Sequence, residues 1–408
     1  MPAHVTSWLF LAATLVGAAF TWNAFVPARR SRWLLLPSFV FAMFVAELAA
    51  LHLLWQLLAA VVFVGLGALS AWPGQLGLAL AIASWLGLVV LVLQGRGAVR
   101  VMAATLGPLR RSQTLPWSKL ALPFPLRRTG TRVTRDVVYA RPGGIRLRLD
   151  VYRPPPGVVG PRPAVIQIHG GAWVVGDKRE QGVPLMTQLS DRGFVGFNVN
   201  YRLCPRATWP DPLVDIKTAI AWVREHAAQY DVDPDFIAIT GGSAGGHLAA
   251  MAALTAGDAA LQPGFEQADT RVQAAVPLYG VYDLTDRAQQ HAPGFMARLI
   301  EPLVMKARLR DEPERFRAAS PLDRVHADAP PFFVIHGDRD TLAPLADARA
   351  FVAALREVSR APVWFAELAG AHHSFDVFLS PRSLPVIEGV GDVLEHLWQR
   401  TRDATAHA

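Results

Sequence analysis

The sequence predicts an α/β fold, a mostly parallel sheet covered by helices on both faces, preceded by an N-terminal region of membrane-crossing helices. Three observations predict it. From about residue 133, short apolar runs alternate with helical segments, and helices between apolar strands imply parallel pairing with both faces buried. Residues 1–95 carry only three basic residues and one acid across long apolar stretches. The 408 residues are 52% hydrophobic and 18% charged, whereas a soluble chain carries about 25% charged residues. This apolar content excludes disorder, and the single Cys204, read as a small packed residue, excludes a disulfide scaffold.

A helix needs about 20 apolar residues to cross the roughly 30 Å hydrocarbon core. Residues 7–26 meet this without a charge, up to Pro27, and residues 76–94 meet it after the Trp72-Pro73-Gly74 break. Between them, the run 33–69 is interrupted only by Glu47 and His52. As one helix it would be about 55 Å long, too long for one span. Either an interfacial helix leads into one span, or two short spans meet near His52. The loop with Arg29, Arg30 and Arg32 and the basic stretch from Arg96 should both lie on the cytoplasmic side. That requires two crossings between them and three in all, which makes a multi-pass membrane protein with its catalytic part in the cytoplasm. Glu47 and His52 read either as a functional intramembrane pair or as a polar pair at the headgroups or between helices.

Residues 96–135 hold nine basic residues and no acid, leaving 28 basic against 32 acidic residues in 136–408. The formal charge of +7 therefore sits beside the membrane, where anionic headgroups are its natural partner. No basic stripe remains for phosphate backbones, which excludes nucleic-acid binding. Residues 96–132 read as a basic linker in which Pro108, Pro116, Pro123 and Pro125 break any long helix. The expected domains are 1–95, 96–132 and 133–408.

Residues 133–140 and 145–152 alternate as an antiparallel pair around Pro142-Gly143-Gly144. Buried strands are then expected at 164–169, 195–201, 236–240, 272–278, 332–336 and 363–367, and helices at 212–230, 244–256, 343–359 and 386–400. Ligands bind at the carboxyl ends of such strands, and each suggestive motif falls at one.

Gly241-Gly242-Ser243-Ala244-Gly245-Gly246 joins a strand to a helix. A serine on so tight a turn needs small neighbours, and its hydroxyl stands clear of the backbone beside a helix N-terminus. His169-Gly170-Gly171-Ala172-Trp173 follows another strand. Acyl transfer builds negative charge on a carbonyl oxygen, and glycine backbone brings N–H donors close to it. The expected donors are Gly170, Gly171 and Ala244, with Ala172 a further candidate. His169 reads as a loop organiser, and Trp173 as a pocket wall or core. An acid and a base should follow the serine in the chain. In His336-Gly337-Asp338-Arg339-Asp340, the carboxylate of Asp340 lies far enough past the strand to reach an imidazole, while Asp338 suits loop amides. In Ala371-His372-His373-Ser374-Phe375-Asp376 the base is His373, whose loop Phe375 can pin to the core, with His372 the alternative. The insertion 283–328 carries Phe295, Met296 and Leu299, which either line an acyl pocket or form the buried face of a cap helix.

On residues 169–171, Asn200-Tyr201-Arg202-Leu203, 241–245, 336–344 and 373–376, the part from about 133 to 400 resembles the α/β-hydrolase superfamily, specifically its hormone-sensitive-lipase-like bacterial esterases. The whole is similar to membrane-anchored Lip-type carboxylesterases of actinobacteria. The resemblance implies a carboxylesterase or lipase acting on acyl esters through Ser243, Asp340 and His373, with an oxyanion loop after His169. Such chemistry needs no metal and no organic cofactor. Two departures stand out: Ala172 replaces a third glycine, and the acid lies in an H-G-x-x-D pattern shared with feruloyl esterases and oligopeptidases. The rival readings are a serine peptidase of the oligopeptidase type, against which no large propeller domain precedes the fold, and a non-enzymatic membrane scaffold, against which serine, acid, histidine and glycines are all retained. Nothing in the sequence specifies an oligomeric state.

Overall fold

Four apolar helices open the computed structural model, which describes residues 3–31, 33–111, 130–157 and 160–406. They are α1 (Ala3–Phe25), α2 (Leu35–Glu47), α3 (Ala49–Gly65) and α4 (Trp72–Arg96). At 1.5 Å per residue, the 23 residues of α1 and the 25 of α4 measure about 35 and 38 Å, and both are apolar enough to cross a membrane. The run 33–69 breaks at Leu48, where α2 and α3 meet at 86°, and this bent pair would make a third candidate span. Helices α1, α3 and α4 pack together around buried polar bonds. Ser84 lies 2.8 Å from the Thr21 hydroxyl and donates to Gln56 Oε1 at 2.9 Å. Such polar contacts join helices where apolar burial alone gives no preference for one neighbour over another. The outer faces expose Leu15, Val16, Trp22, Leu58, Val61, Leu86 and Val90.

Eight strands then form one sheet in the order β1-β2-β4-β3-β5-β6-β7-β8. The hairpin of β1 (Arg132–Ala140) and β2 (Leu147–Arg153) runs antiparallel to β4 (Val195–Val199). From β4 onward all pairing is parallel, through β3 (Arg162–Ile168), β5 (Val232–Gly242), β6 (Ala274–Leu278), β7 (Phe332–Gly337) and β8 (Val363–Leu368). The β-branched and aromatic residues of β3, β4 and β7 are buried on both faces because helices cover both. On one face lie α7 (Asp211–Glu225), α8 (Ala244–Leu254), the short α9 (Pro313–Ala318) and α10 (Leu345–Val358); on the other lie α6 (Val183–Asp191) and α11 (Ser383–Ala406).

The linker expected at 96–132 is replaced in its first part by packed structure. Helix α5 (Ala98–Leu106) carries Ala98, Met102 and Leu106 four residues apart, and this stripe is buried against the α11 face of the sheet domain. Arg110, itself buried, donates to Asp392 at 2.7 Å and Glu388 at 3.1 Å, and Arg111 pairs with Glu395. These cations of the basic run therefore answer to protein carboxylates. Residues 112–129, with Pro116, Pro123 and Pro125, and Arg32 of the first basic loop lie outside the described residues.

Helix α2 lies across the end of the bundle and touches the sheet domain along its length, through Phe39 on His373, Phe44 on Phe378, and Glu47 on Arg382 and Ser380. Helix α3 leads away, towards the Ala68 carbonyl that accepts from Ser7 near the start of α1. Glu47 and His52 are thus not paired with one another: the His52 ring accepts from the Trp55 indole, while Glu47 is bonded by Arg382 and by the Ser380 hydroxyl at 2.6 Å. The carboxyl end of α1 is held similarly. The Ala24 carbonyl, left without an intrahelical donor, accepts from His372 Nε2 at 2.9 Å and Arg339 at 3.2 Å.

Glu47 and Arg382 form a buried ion pair, so removing one partner strands the other. We expect Glu47→Ala to cost the full-length protein about 3–5 kcal/mol. The apolar pair Glu47→Leu with Arg382→Met should recover most of that loss; denaturation of detergent-solubilised protein measures both. His372 gives a pH dependence. Burial pushes its imidazole down to about 4 from the ordinary 6.5, against the opposing pull of its bond to Ala24. The unfolded chain then takes up a proton between these values while the folded chain does not, so stability present above pH 6.5 is lost as pH falls towards 4. At about 1.4 kcal/mol per pKa unit the loss is on the order of 3 kcal/mol. Denaturation at pH 7 and pH 4 should show His372→Gln losing that much less than the unaltered protein, and equal losses would assign the effect to other groups.

Candidate active site

The serine motif forms because β5 must turn at once into α8. Ser243 is the joint, held at φ 59°, ψ −122°, a left-handed conformation that side chains other than glycine's rarely adopt. Its neighbours leave no room: a Cβ on Gly241 would sit 2.5 Å from the Gly245 carbonyl oxygen and 2.8 Å from that of Ile168. The Ser243 N–H donates to the Leu278 carbonyl at 3.0 Å, fixing the turn onto β6. Ala244 follows in the first turn of α8, where backbone N–H groups have no intrahelical partner.

The loop after β3 comes within van der Waals distance, since a Cβ on Gly170 would stand 3.1 Å from the Ser243 Cβ. Gly171, Ala172 and Trp173 all take positive φ, at 104°, 53° and 62°. The Gly170 N–H, one of the expected donors, instead donates to Gln181 Oε1 at 2.7 Å. A hydrogen already given to a side chain is not available to an oxyanion, so Gly170 leaves the set and Gly171, Ala172 and Ala244 remain. His169 organises the loop, with Nδ1 donating to the Gly170 carbonyl at 2.7 Å and its ring stacked on Tyr201. Trp173 is no pocket wall. It is 1% exposed, and its indole donates to His247 in the core at 3.3 Å.

At the ends of β7 and β8 the expected acid and base, Asp340 and His373, meet. His373 Nδ1 donates to Asp340 Oδ2 at 2.7 Å, and both side chains are buried. Asp340 Oδ1 accepts from the N–H groups of Leu342 and Ala343 at 2.8 and 2.9 Å, and His336 Nε2 stands 3.5 Å from Oδ2. Burial pulls this carboxyl up, but the neighbouring His373 and these hydrogen bonds outweigh it and hold Asp340 below the ordinary carboxylate range. Asp338 does accept a loop amide, from Gly370 at 2.7 Å. His372 points the other way, to α1, and Phe375 is buried in the core against Tyr279.

Tyr279, which the sequence reading passed over, links the two halves. Its ring packs on His373, 4.8 Å between centroids, and fills the space a side chain on Gly242 would need. Its hydroxyl donates to the buried Asp376. Two signals marked the pair: Tyr279 follows a strand end, and Asp376 closes the histidine motif. His373 thus sits between Tyr279 and Phe39 of α2, whose ring meets it edge-on at 5.8 Å. No hydrogen bond joins it to the Ser243 hydroxyl among the described residues. Contacts of this kind are often long before substrate binds. Phe295, Met296 and Leu299 lie half-buried on a wide helix, Phe295–Met305, packed against the core, with Phe295 stacked on His291. Among the described residues no three His, Cys, Asp or Glu side chains group as a metal site needs.

A protein-family model, BD-FAE, matches residues 149–355. Esterase LipQ of Mycobacterium tuberculosis is 51% identical over 69% of this chain, which spans 66% of LipQ, just under two thirds of its length. The probable carboxylic ester hydrolase LipM of the same organism is 41% identical over 98% of this chain and 94% of its own, so the likeness runs through the apolar helices as well. Among solved structures, the butyrate-bound esterase Est2 of the Planctomycetes species Thermogutta terrifontis superposes with a TM-score of 0.54 at 28% identity, over 66% of this chain and 94% of that one. With the sheet order, the strained serine and the acid–histidine pair in place, the chain belongs to the BD-FAE family and to the hormone-sensitive-lipase-like carboxylesterases of the α/β-hydrolase fold.

Proposed function

We propose that this chain is a membrane-anchored serine carboxylesterase in which Ser243 is the nucleophile, His373 the general base and Asp340 the group that orients it. One observation carries the reading: a buried Asp340–His373 hydrogen bond beside a serine held at φ 59°, with the Tyr279 ring lying against the histidine and against Gly242. With Nδ1–H committed to Asp340, His373 keeps Nε2 free to take the Ser243 proton. The alkoxide attacks the acyl carbonyl carbon, and the resulting oxyanion is met by the N–H groups of Gly171, Ala172 and Ala244, each such donor being worth about 3 kcal/mol. His373 returns the proton to the leaving alcohol, and water then releases the acid from the acyl-enzyme. The Thermogutta esterase holds butyrate, and a carboxylate of that kind is the acid product expected here. Phe295, Met296 and Leu299 serve as cap packing in this reading.

Helices α1, α3 and α4 are read as three crossings, with α2 lying in the headgroup plane on the catalytic side. The ends of α1 and α4 both meet the sheet domain, at Ala24 with His372 and at Gly95 with Pro381. Arg29, Arg96 and Arg100 belong to that end, which the positive-inside rule makes cytoplasmic.

A fluorophosphonate should label the detergent-solubilised full-length protein at Ser243, as read by peptide mass. Ser243→Ala should abolish labelling and lower ester turnover by a factor on the order of 10⁴ or more, while Ser374→Ala keeps the label. Labelling that survives Ser243→Ala would exclude this nucleophile, and a folded chain that takes no label would favour the scaffold.

A further inference from the structure

The apolar helices do more than hold the sheet domain near a bilayer. Three of them end on the loops that carry the acid and the base. The Ala24 carbonyl of α1 binds Arg339, next to Asp340, and His372, next to His373. Glu47 of α2 binds Arg382 and Ser380, and Gly95 of α4 faces Pro381 so closely that a Cβ there would stand 3.6 Å from the proline Cβ. Between these anchors α2 crosses the rim. One side of it buries Leu35, Ser38, Ala42, Met43, Val45 and Ala46. Its other side exposes Leu36, Val40 and Phe44, spaced four apart and so in one line along the helix. Phe44 rests on Phe378 of the sheet domain, 5.2 Å between centroids. Phe39, half-buried at the edge of this line, meets the His373 ring at 5.8 Å. Apolar side chains of α2 therefore reach from its exposed face to the imidazole. Charged or hydrated substrates gain nothing from such a route, whereas an alkyl chain stays in apolar surroundings along its whole length.

We propose that esters reach Ser243 sideways from the bilayer along α2, so that the substrates are long-chain acyl esters dissolved in the membrane, with Phe39 the wall against which the chain lies. This rests on the serine-esterase reading above and names the substrate class of that same site. The fit is chemical: the carbonyl carbon stops at Ser243, and the chain trails back past Phe39 along Val40 and Leu36 into the hydrocarbon layer. Phe39 is a specificity residue here and takes no part in proton transfer.

The test uses full-length protein reconstituted in vesicles of ether-linked phosphatidylcholine, which offer no competing ester. 4-Methylumbelliferyl palmitate is supplied either in the same vesicles or in separate protein-free ones, and the butyrate ester is supplied from water. We expect palmitate in the protein's own bilayer to turn over at least about 10-fold faster than palmitate in separate vesicles. Phe39→Ala should lower the palmitate-to-butyrate ratio of kcat/KM by about 10-fold, the effect of losing a ring's worth of apolar contact. Equal rates from the two vesicle arrangements, or a ratio unmoved by the substitution, would overturn the route. So would turnover of butyrate alone. An unaltered protein that hydrolyses neither ester would remove the esterase reading, and this inference with it.

Discussion

The hydrogen bond between His373 and Asp340, 2.7 Å long and closed from water, is the contact on which the rest of the molecule converges. An ionised carboxylate is costly to bury unless its lone pairs are bonded. Asp340 meets that cost with two backbone N–H groups and one imidazole, and keeps its charge as a result. The same bond leaves one histidine nitrogen free and dictates where that nitrogen points. Tyr279 packs on the ring, and Phe375 anchors its loop in the core. The sheet supplies the frame, since β5, β7 and β8 deliver Ser243, Asp340 and His373 to one edge.

The N-terminal helices belong to this frame. The Ala24 carbonyl at the end of α1 and the Glu47 carboxylate at the α2 break are bonded by donors of the sheet domain, at His372, Arg339, Ser380 and Arg382. A flexible tether would leave the catalytic rim free to turn in any direction. Here the rim is bound against apolar helices whose outer faces are themselves apolar, which fixes its orientation to whatever surrounds them. Helix α5 and Arg110 extend the same attachment along the α11 face of the sheet.

Local chemistry made much of this legible. A serine flanked by glycines after an apolar strand can do little but sit on a tight turn, and an acid and a histidine past later strands can only arrive at the same rim. Asp338 and Asp340 were separable because one lies at the strand end and the other beyond the turn. What escaped the sequence depends on partners remote along the chain. Nothing near Gly170 announces that Gln181 takes its N–H, and nothing near Trp173 announces His247 as its acceptor. Glu47 finds its cation 335 residues away, so the nearby His52 was the natural but wrong partner to consider. The proline-rich basic stretch masked the short amphipathic helix α5, whose three buried residues become a signal only once α11 is there to receive them.

The most direct measurement of the central claim is the turnover number of Asp340→Asn in the full-length protein. The amide has the same shape and still fits between Leu342, Ala343 and His373. It can satisfy the ring, however, only by reversing the proton, which leaves Nε2 unable to accept from the serine. The account predicts a fall in kcat on the order of 10⁴ with the fold retained. A folded variant whose turnover falls by less than about 10-fold would show that the buried carboxylate does not set the state of the histidine.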